Sequence, residues 1–136
     1  MKKCNIWFVA PMLVMASIEA CAKPTLSCDA DKDNISHSLE ITEKDDGVPD
    51  FSYLSSTPSQ SLALNCTIDS SLVRGTPTVS GNTVTYPLGS GDSLSITKQL
   101  HGYLLDMSKL DAANYCSGIV AKKIVIRVGD KKCKVK

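Results

Sequence analysis

The sequence predicts an all-β domain, and three observations carry that prediction. Apolar residues recur at every second position in short stretches. Turn signals rich in Gly, Pro, Asn and Asp separate those stretches at the intervals of an antiparallel sheet. No stretch shows the long helical period needed to link parallel strands. Eight or nine strands and one short helix near residues 109–116 follow, as a small antiparallel β-sandwich or barrel stapled by disulfides.

The elements can be justified in order. Leu26 to Asp29 is a short strand, followed by the acidic Asp29-Ala-Asp-Lys-Asp-Asn34, read as a solvated loop. Ser36 to Thr42 places His37, Leu39 and Ile41 on one face. Lys44-Asp45-Asp46-Gly47 ahead of Pro49 is a turn, because Gly accepts positive φ and Pro cannot donate to a ladder. Phe51 to Ser55 and then Ser61 to Ile68 are strands, the latter with Leu62, Leu64, Cys66 and Ile68 alternating with smaller or polar residues. Thr78-Val79-Ser80 and Thr83-Val84-Thr85 flank Gly81-Asn82 as a two-residue hairpin with Val79 opposite Val84, bounded by Pro77 and Pro87. After the Gly89 to Asp92 turn, Leu94 and Ile96 mark a strand, and Gly102 to Met107 alternates Tyr103, Leu105 and Met107 with Leu104 and Asp106.

The stretch from Ser108 to Lys136 is the densest in signals. Ser108 with Asp111 forms a weak capping pattern ahead of one or two helical turns that Gly118 can stop. With Gly129-Asp130 at the centre of a primed turn, Val128 faces Lys131, Arg127 faces Lys132, Ile126 faces Cys133 and Ile124 faces Val135.

Lys2 and Lys3, the apolar run Ile6 to Ile18 and the small residues Ala20-Cys21-Ala22 have the order of a secretory signal peptide, expected to be removed before Lys23. The run is too short to span a bilayer comfortably. Residues 1–22 are therefore set apart as a leader and residues 23–136 as a single exported domain, periplasmic or secreted. Ile18-Glu19-Ala20-Cys21 also resembles the lipobox of bacterial lipoproteins, which would make Cys21 a lipid anchor to the outer membrane; Glu19 departs from that box.

Export permits disulfides, and the mature part carries Cys28, Cys66, Cys116 and Cys133. Three pairings exist. Cys28 with Cys66 and Cys116 with Cys133 is the expectation, since each pair flanks locally connected elements. No two of these cysteines have the spacing usual for structural zinc.

Asp29, Asp31, Asp33 and Glu40 stand at positions 1, 3, 5 and 12 of an EF-hand calcium loop, but Asn34 replaces its turn Gly and neither flank reads as a helix. Neither a metal nor any other cofactor is expected. Gly91-Asp92-Ser93-Leu94 is similar to the nucleophile block of the GDSL esterases over those four residues alone. That family is α/β, carries the block early and has a later Asp-x-x-His, which is missing here, so no catalytic residue is assigned. His37 and His101 are the only histidines, one on an apolar strand face and one in a loop.

Charge divides along the chain. Residues 23–69 carry three basic and nine acidic side chains, and residues 70–136 carry ten basic and four acidic. The balance disfavours nucleic-acid binding, and four tyrosines and two phenylalanines are too few for single-strand stacking. Lys122, Lys123, Arg127, Lys132 and Lys134 gather on the outward side of the final hairpin. Lysines there discourage edge-to-edge aggregation, or form a face for an anionic polymer or acidic partner.

The expected function is a non-catalytic binding module of the cell envelope, an inhibitor or immunity-type protein acting on an envelope enzyme through a protein contact. The alternative is a structural or accessory envelope protein whose basic face touches an anionic polymer or assembly. The exported small β domain, the terminal cysteines and Ser80-Gly81 ahead of Tyr86 are similar to the membrane-bound inhibitors of C-type lysozyme. That family has its tyrosine closer and a basic residue before it, where this chain has Asn82-Thr83. Ser80, Gly81, Asn82 and Tyr86 are the expected loop contacts, and membrane contact is expected only through lipidation of Cys21.

Overall fold

The computed structural model describes residues 23–58 and 64–136. The expected leader at residues 1–22, Cys21 included, and the expected start of a strand at Ser61 lie outside the described residues. Ten strands form two antiparallel sheets. The first has the order β1 (Thr25–Lys32), β2 (Ile35–Thr42), β3 (Asp50–Thr57), β4 (Leu64–Asp69). The second contains β5 (Thr78–Ser80), β6 (Thr83–Pro87), β7 (Ser93–Gln99), β8 (Gly102–Asp106), β9 (Lys123–Arg127) and β10 (Lys134–Val135), again in sequence order across the sheet. Within each sheet, strands consecutive in sequence are neighbours in space, and the two sheets pack as a sandwich around one shared core cluster.

The alternation read from the sequence decides which face turns inward. Leu39, Ile41, Tyr53 and Ile68 from one sheet and Ile96, Leu105, Ile124 and Ile126 from the other are almost wholly buried in one cluster. Each such apolar side chain contributes about 1.5 to 3 kcal/mol relative to leaving it in water, so a one-residue slip in any of these strands would be prohibitive. The hairpin about Gly81 has Val79 opposite Val84 as expected, and its Gly81, at φ +59, supplies the left-handed first position of a type II′ turn.

Four expectations are corrected. The acidic stretch from Asp29 to Asn34 is not a loop: β1 continues to Lys32 and pairs with β2 through a two-residue turn in which Asp33 and Asn34 have φ of 54° and 60°. Asp and Asn tolerate the left-handed region better than other non-glycine residues, which lets this pair make a type I′ turn without Gly. The expected helix near 109–116 contracts to a single 3-10 turn, Ala112–Asn114, where Asp111 accepts from Ala113 N at 3.1 Å. Ser108 does not cap it; its N and Oγ both donate to Asp106.

The third correction concerns the last hairpin. Its register survives, with Ile124 opposite Val135 and Val125 opposite Lys134. Its turn, however, is centred on Val128 and Gly129, with Asp130 N donating to Arg127 O at 3.2 Å and Gly129 at φ +87. Residues 131–133 then leave the second sheet. Asp29 N donates to Lys131 O and Cys133 N donates to Asp29 O, both at 3.0 Å, so this segment runs along β1 instead of opposite Ile126 and Arg127.

That excursion explains the fourth correction, to the disulfides. They join Cys28 to Cys133 and Cys66 to Cys116, with Cα separations of 5.2 and 5.1 Å. Cys28 lies on β1 and Cys66 on β4, at opposite edges of one sheet. Three strand spacings, roughly 14 Å, exceed the roughly 7 Å that a bridge can close. The bridges therefore tie distant parts of the chain: one clamps the last strand to the first sheet, and the other holds the long β8–β9 connection against β4. They belong to an oxidising environment. Among the described residues no helix is long and apolar enough to cross a membrane.

The β8–β9 connection is also held by buried polar contacts. Ser55 Oγ donates to Ile119 O at 2.6 Å, and Ala121 N donates to Tyr53 Oη at 3.0 Å. The Tyr53 hydroxyl lies 2.9 Å from His37 Nδ1. Thus the buried His37 is a bracing group of the first sheet, and burial holds its pKa below the usual value, although Asp31 opposes the shift.

Candidate functional site at one end of the sandwich

Four connections meet at one end. The β5–β6 turn is tied to the end of β7 by two bonds, Lys98 N to Asn82 O and Asn82 Nδ2 to Lys98 O, each 2.8 Å. The β7–β8 turn, Leu100-His101, follows directly, and His101 O accepts from Val128 N of the β9–β10 turn at 2.8 Å. The β2–β3 connection, residues 43–49, reaches the same end from the other sheet, because Glu43 accepts from both Tyr103 Oη and Lys98 Nζ, the latter at 3.2 Å.

Between the β2–β3 connection and the β5–β6 hairpin lies an open cleft of about 190 Å³. Its floor is Val84, Ile96 and Tyr103; its walls include Pro49, Val79, Gly81, Asn82 and Lys98. Val79 belongs on the inward face, since it stands opposite the buried Val84, yet it is 56% exposed. The first sheet stops short of covering it. Tyr86, two residues beyond Val84 on the same face, donates to Pro49 O at 2.6 Å and so positions one wall.

The polar cluster in the cleft is internally neutralised. The Tyr103 hydroxyl, itself on a buried side chain, holds the Glu43 carboxyl below the usual carboxylate range, with Lys98 adding to the effect and partial burial opposing it. The Tyr103 phenol is pushed up by burial and by Glu43. Lys98 Nζ also stands 5.9 Å from the centre of the Tyr103 ring. Such an arrangement orients a surface and offers hydrogen-bonding groups beside apolar area.

The expected site residues divide accordingly. Gly81 and Asn82 line the cleft, and Ser80 ends the exposed strand beside it. Tyr86 is not a loop contact: at 2% exposure it is a core residue, because it follows Val84 by two positions and faces inward with it. Glu43, Lys98 and Tyr103, which are 55 and 60 positions apart along the chain, were invisible to spacing arguments.

Of the basic set, Arg127, Lys132 and Lys134 surround a shallow depression of about 210 Å³ with Val125 and Asp130. Lys122 is exposed just before β9, while Lys123 pairs with Asp106 at 3.1 Å. Asp29, Asp31 and Glu40 are spread along two extended strands with Asp33 in the turn between them, and the described residues hold no cluster of three or more metal-ligating side chains. Ser93 opens β7, whereas His101 follows its far end, and Asp92, just before Ser93, accepts from Asn114 Nδ2 at 2.9 Å. Compared with protein-family models, curated proteins and solved structures, the chain finds no significant match.

Proposed function

We propose that this protein is a non-catalytic binding module of the cell envelope, an inhibitor or immunity-type protein that engages an envelope enzyme through the cleft beside the β5–β6 hairpin. One observation carries the reading. Val79, on the inward face opposite the buried Val84, is left exposed in the wall of the cleft, at the end where four connections converge. Sandwich domains commonly present binding loops at an end of a rigid body. Here the crossing bridges restrain that body, so little ordering cost remains to be met on association.

The cleft suits a protruding partner side chain, with Val79 and Ile96 giving apolar contact and Asn82 and Lys98 giving polar contact at the rim. The test is a titration of the oxidised protein against peptidoglycan hydrolases, lysozyme among them, with cell-wall turbidity as the readout. Inhibition that weakens at least about tenfold on Val79→Asp supports the reading, since a charge would be carried into the apolar contact. Equal inhibition by the variant, or none by the unaltered protein against any wall hydrolase, overturns it.

A further inference from the structure

We propose that the tip formed by the β7–β8 and β9–β10 turns docks on an anionic lipid bilayer, with Leu100 and Val128 entering the interface and Arg127, Lys131 and Lys132 meeting the headgroups. This surface is beside the cleft and does not depend on what the cleft binds.

The first observation is the placement of aliphatic side chains where turns normally carry polar ones. Leu100 is 91% exposed and Val128 is 68% exposed. The bond from Val128 N to His101 O, at 2.8 Å, sets the two turns side by side, so the aliphatic groups belong to one tip. Neither side chain fills the core, and both remain available for insertion.

The second observation is charge. Arg127, Lys131 and Lys132 are exposed within six consecutive residues, accompanied only by the acidic Asp130. None of these three cations makes a salt bridge among the described residues. On the opposite rim, Asp45 is paired with Lys23 at 2.7 Å, and Asp46 accepts from Val48 N. Aliphatic tips flanked by free cations match the chemistry of an anionic bilayer, whose acyl boundary accepts any protruding apolar group without a shaped pocket.

The third observation is where the chain enters. Lys23 is held at this end by Asp45, and Pro24 O accepts from Glu43 N at 3.2 Å. In sequence, Lys23 comes two positions after Cys21 and five after the end of the apolar run at Ile18. Any membrane-seeking segment ahead of Lys23, whether the uncut leader or a lipid on Cys21, therefore joins the body at the same end of the sandwich as the tip.

The test is vesicle sedimentation with the oxidised protein beginning at Lys23, its terminus read by mass spectrometry. Vesicles of phosphatidylglycerol with phosphatidylcholine should bind it, and pure phosphatidylcholine should bind it far less. Leu100→Asp with Val128→Asp should lower partition at least about tenfold. Arg127→Glu with Lys132→Glu should lower it by a further large factor, about fivefold or more per reversed charge, and remove the preference for the anionic lipid. Leu54→Asp, at an exposed aliphatic site elsewhere, should sediment like the unaltered protein, provided circular dichroism shows each variant folded. Leu100→Trp supplies a second readout that needs no loss of binding, because the only native tryptophan is Trp7 in the leader. Its emission should shift to the blue on anionic vesicles. Sedimentation of the Asp double variant equal to the unaltered protein overturns the proposal. So does an unshifted Trp, no vesicle binding at all, or retention by peptidoglycan sacculi or a protein partner without vesicle binding.

Discussion

Replacing Tyr103 by Phe removes one hydroxyl and leaves the ring in the core, which makes it a direct probe of the polar cluster that organises the cleft. The hydroxyl donates to Glu43, whose other recorded partner is Lys98 at 3.2 Å. A hydrogen bond to a charged group contributes about 1.5 to 3 kcal/mol, and the 35% exposure of the Glu43 side chain puts this one at or below the lower figure, about 1.5 kcal/mol. The sign of its pH dependence follows from the direction of the shift. Glu43 titrates below its ordinary 4.5 in the folded protein. Its contribution is therefore fully present above the unfolded value and is lost as pH falls through the lower folded value. Below that, a neutral pair of about 0.5 to 1 kcal/mol remains. Urea unfolding of the unaltered protein and Tyr103→Phe, compared at a series of pH values from 7 downward, should show a stability gap that is constant near neutrality and shrinks, by up to about half, as pH falls below 4.5. A gap that stays constant or widens in acid would refute the charged hydrogen bond as the organising contact.

Two further outcomes follow from the backbone and the buried histidine. At Gly102, with φ +155, an added Cβ would lie 1.9 Å from Ile126 O, a backbone atom that cannot step aside, so Gly102→Ala should lower the unfolding free energy by about 3 kcal/mol, read as a fall in urea midpoint at unchanged slope. Because burial depresses the pKa of His37 below 6.5, the unfolded chain binds the extra proton first; stability should be full above that value and fall as pH drops below it, and His37→Phe should flatten the fall between pH 7 and 5 in paired urea titrations.

Local chemistry was legible in the sequence, and long-range placement was not. Val79 opposite Val84 and Ile124 opposite Val135 follow from a two-residue turn or from strict alternation, both properties of a few adjacent residues. The strand faces carrying Leu39, Ile41, Tyr103 and Leu105 are equally local, and all four residues are buried. Charge concealed the second half of β1, since Asp29, Asp31 and Asp33 suggest solvent while an Asp-Asn pair suffices for the turn. The disulfide pairing is not legible locally, because proximity in sequence is not proximity in space; in an antiparallel meander the first and fourth strands are the farthest apart. The cleft was hidden for the same reason, as Glu43, Lys98 and Tyr103 meet only when the two sheets close.

Residues 131–133 leave the last hairpin to run along the first strand before β10 rejoins β9, and the bridge at Cys133 ties the two sheets together there. On the chain-entropy model, a bridge spanning 105 residues is worth about 4.8 kcal/mol through the freedom it removes from the unfolded chain, more than an exposed ion pair contributes. Tryptic mapping of the oxidised protein without reduction, with the linked peptides read by mass spectrometry, tests this directly. The predicted products join the peptide of Cys28 to that of Cys133 and the peptide of Cys66 to that of Cys116. Recovery of Cys28 joined to Cys66, or of Cys116 joined to Cys133, would contradict the architecture.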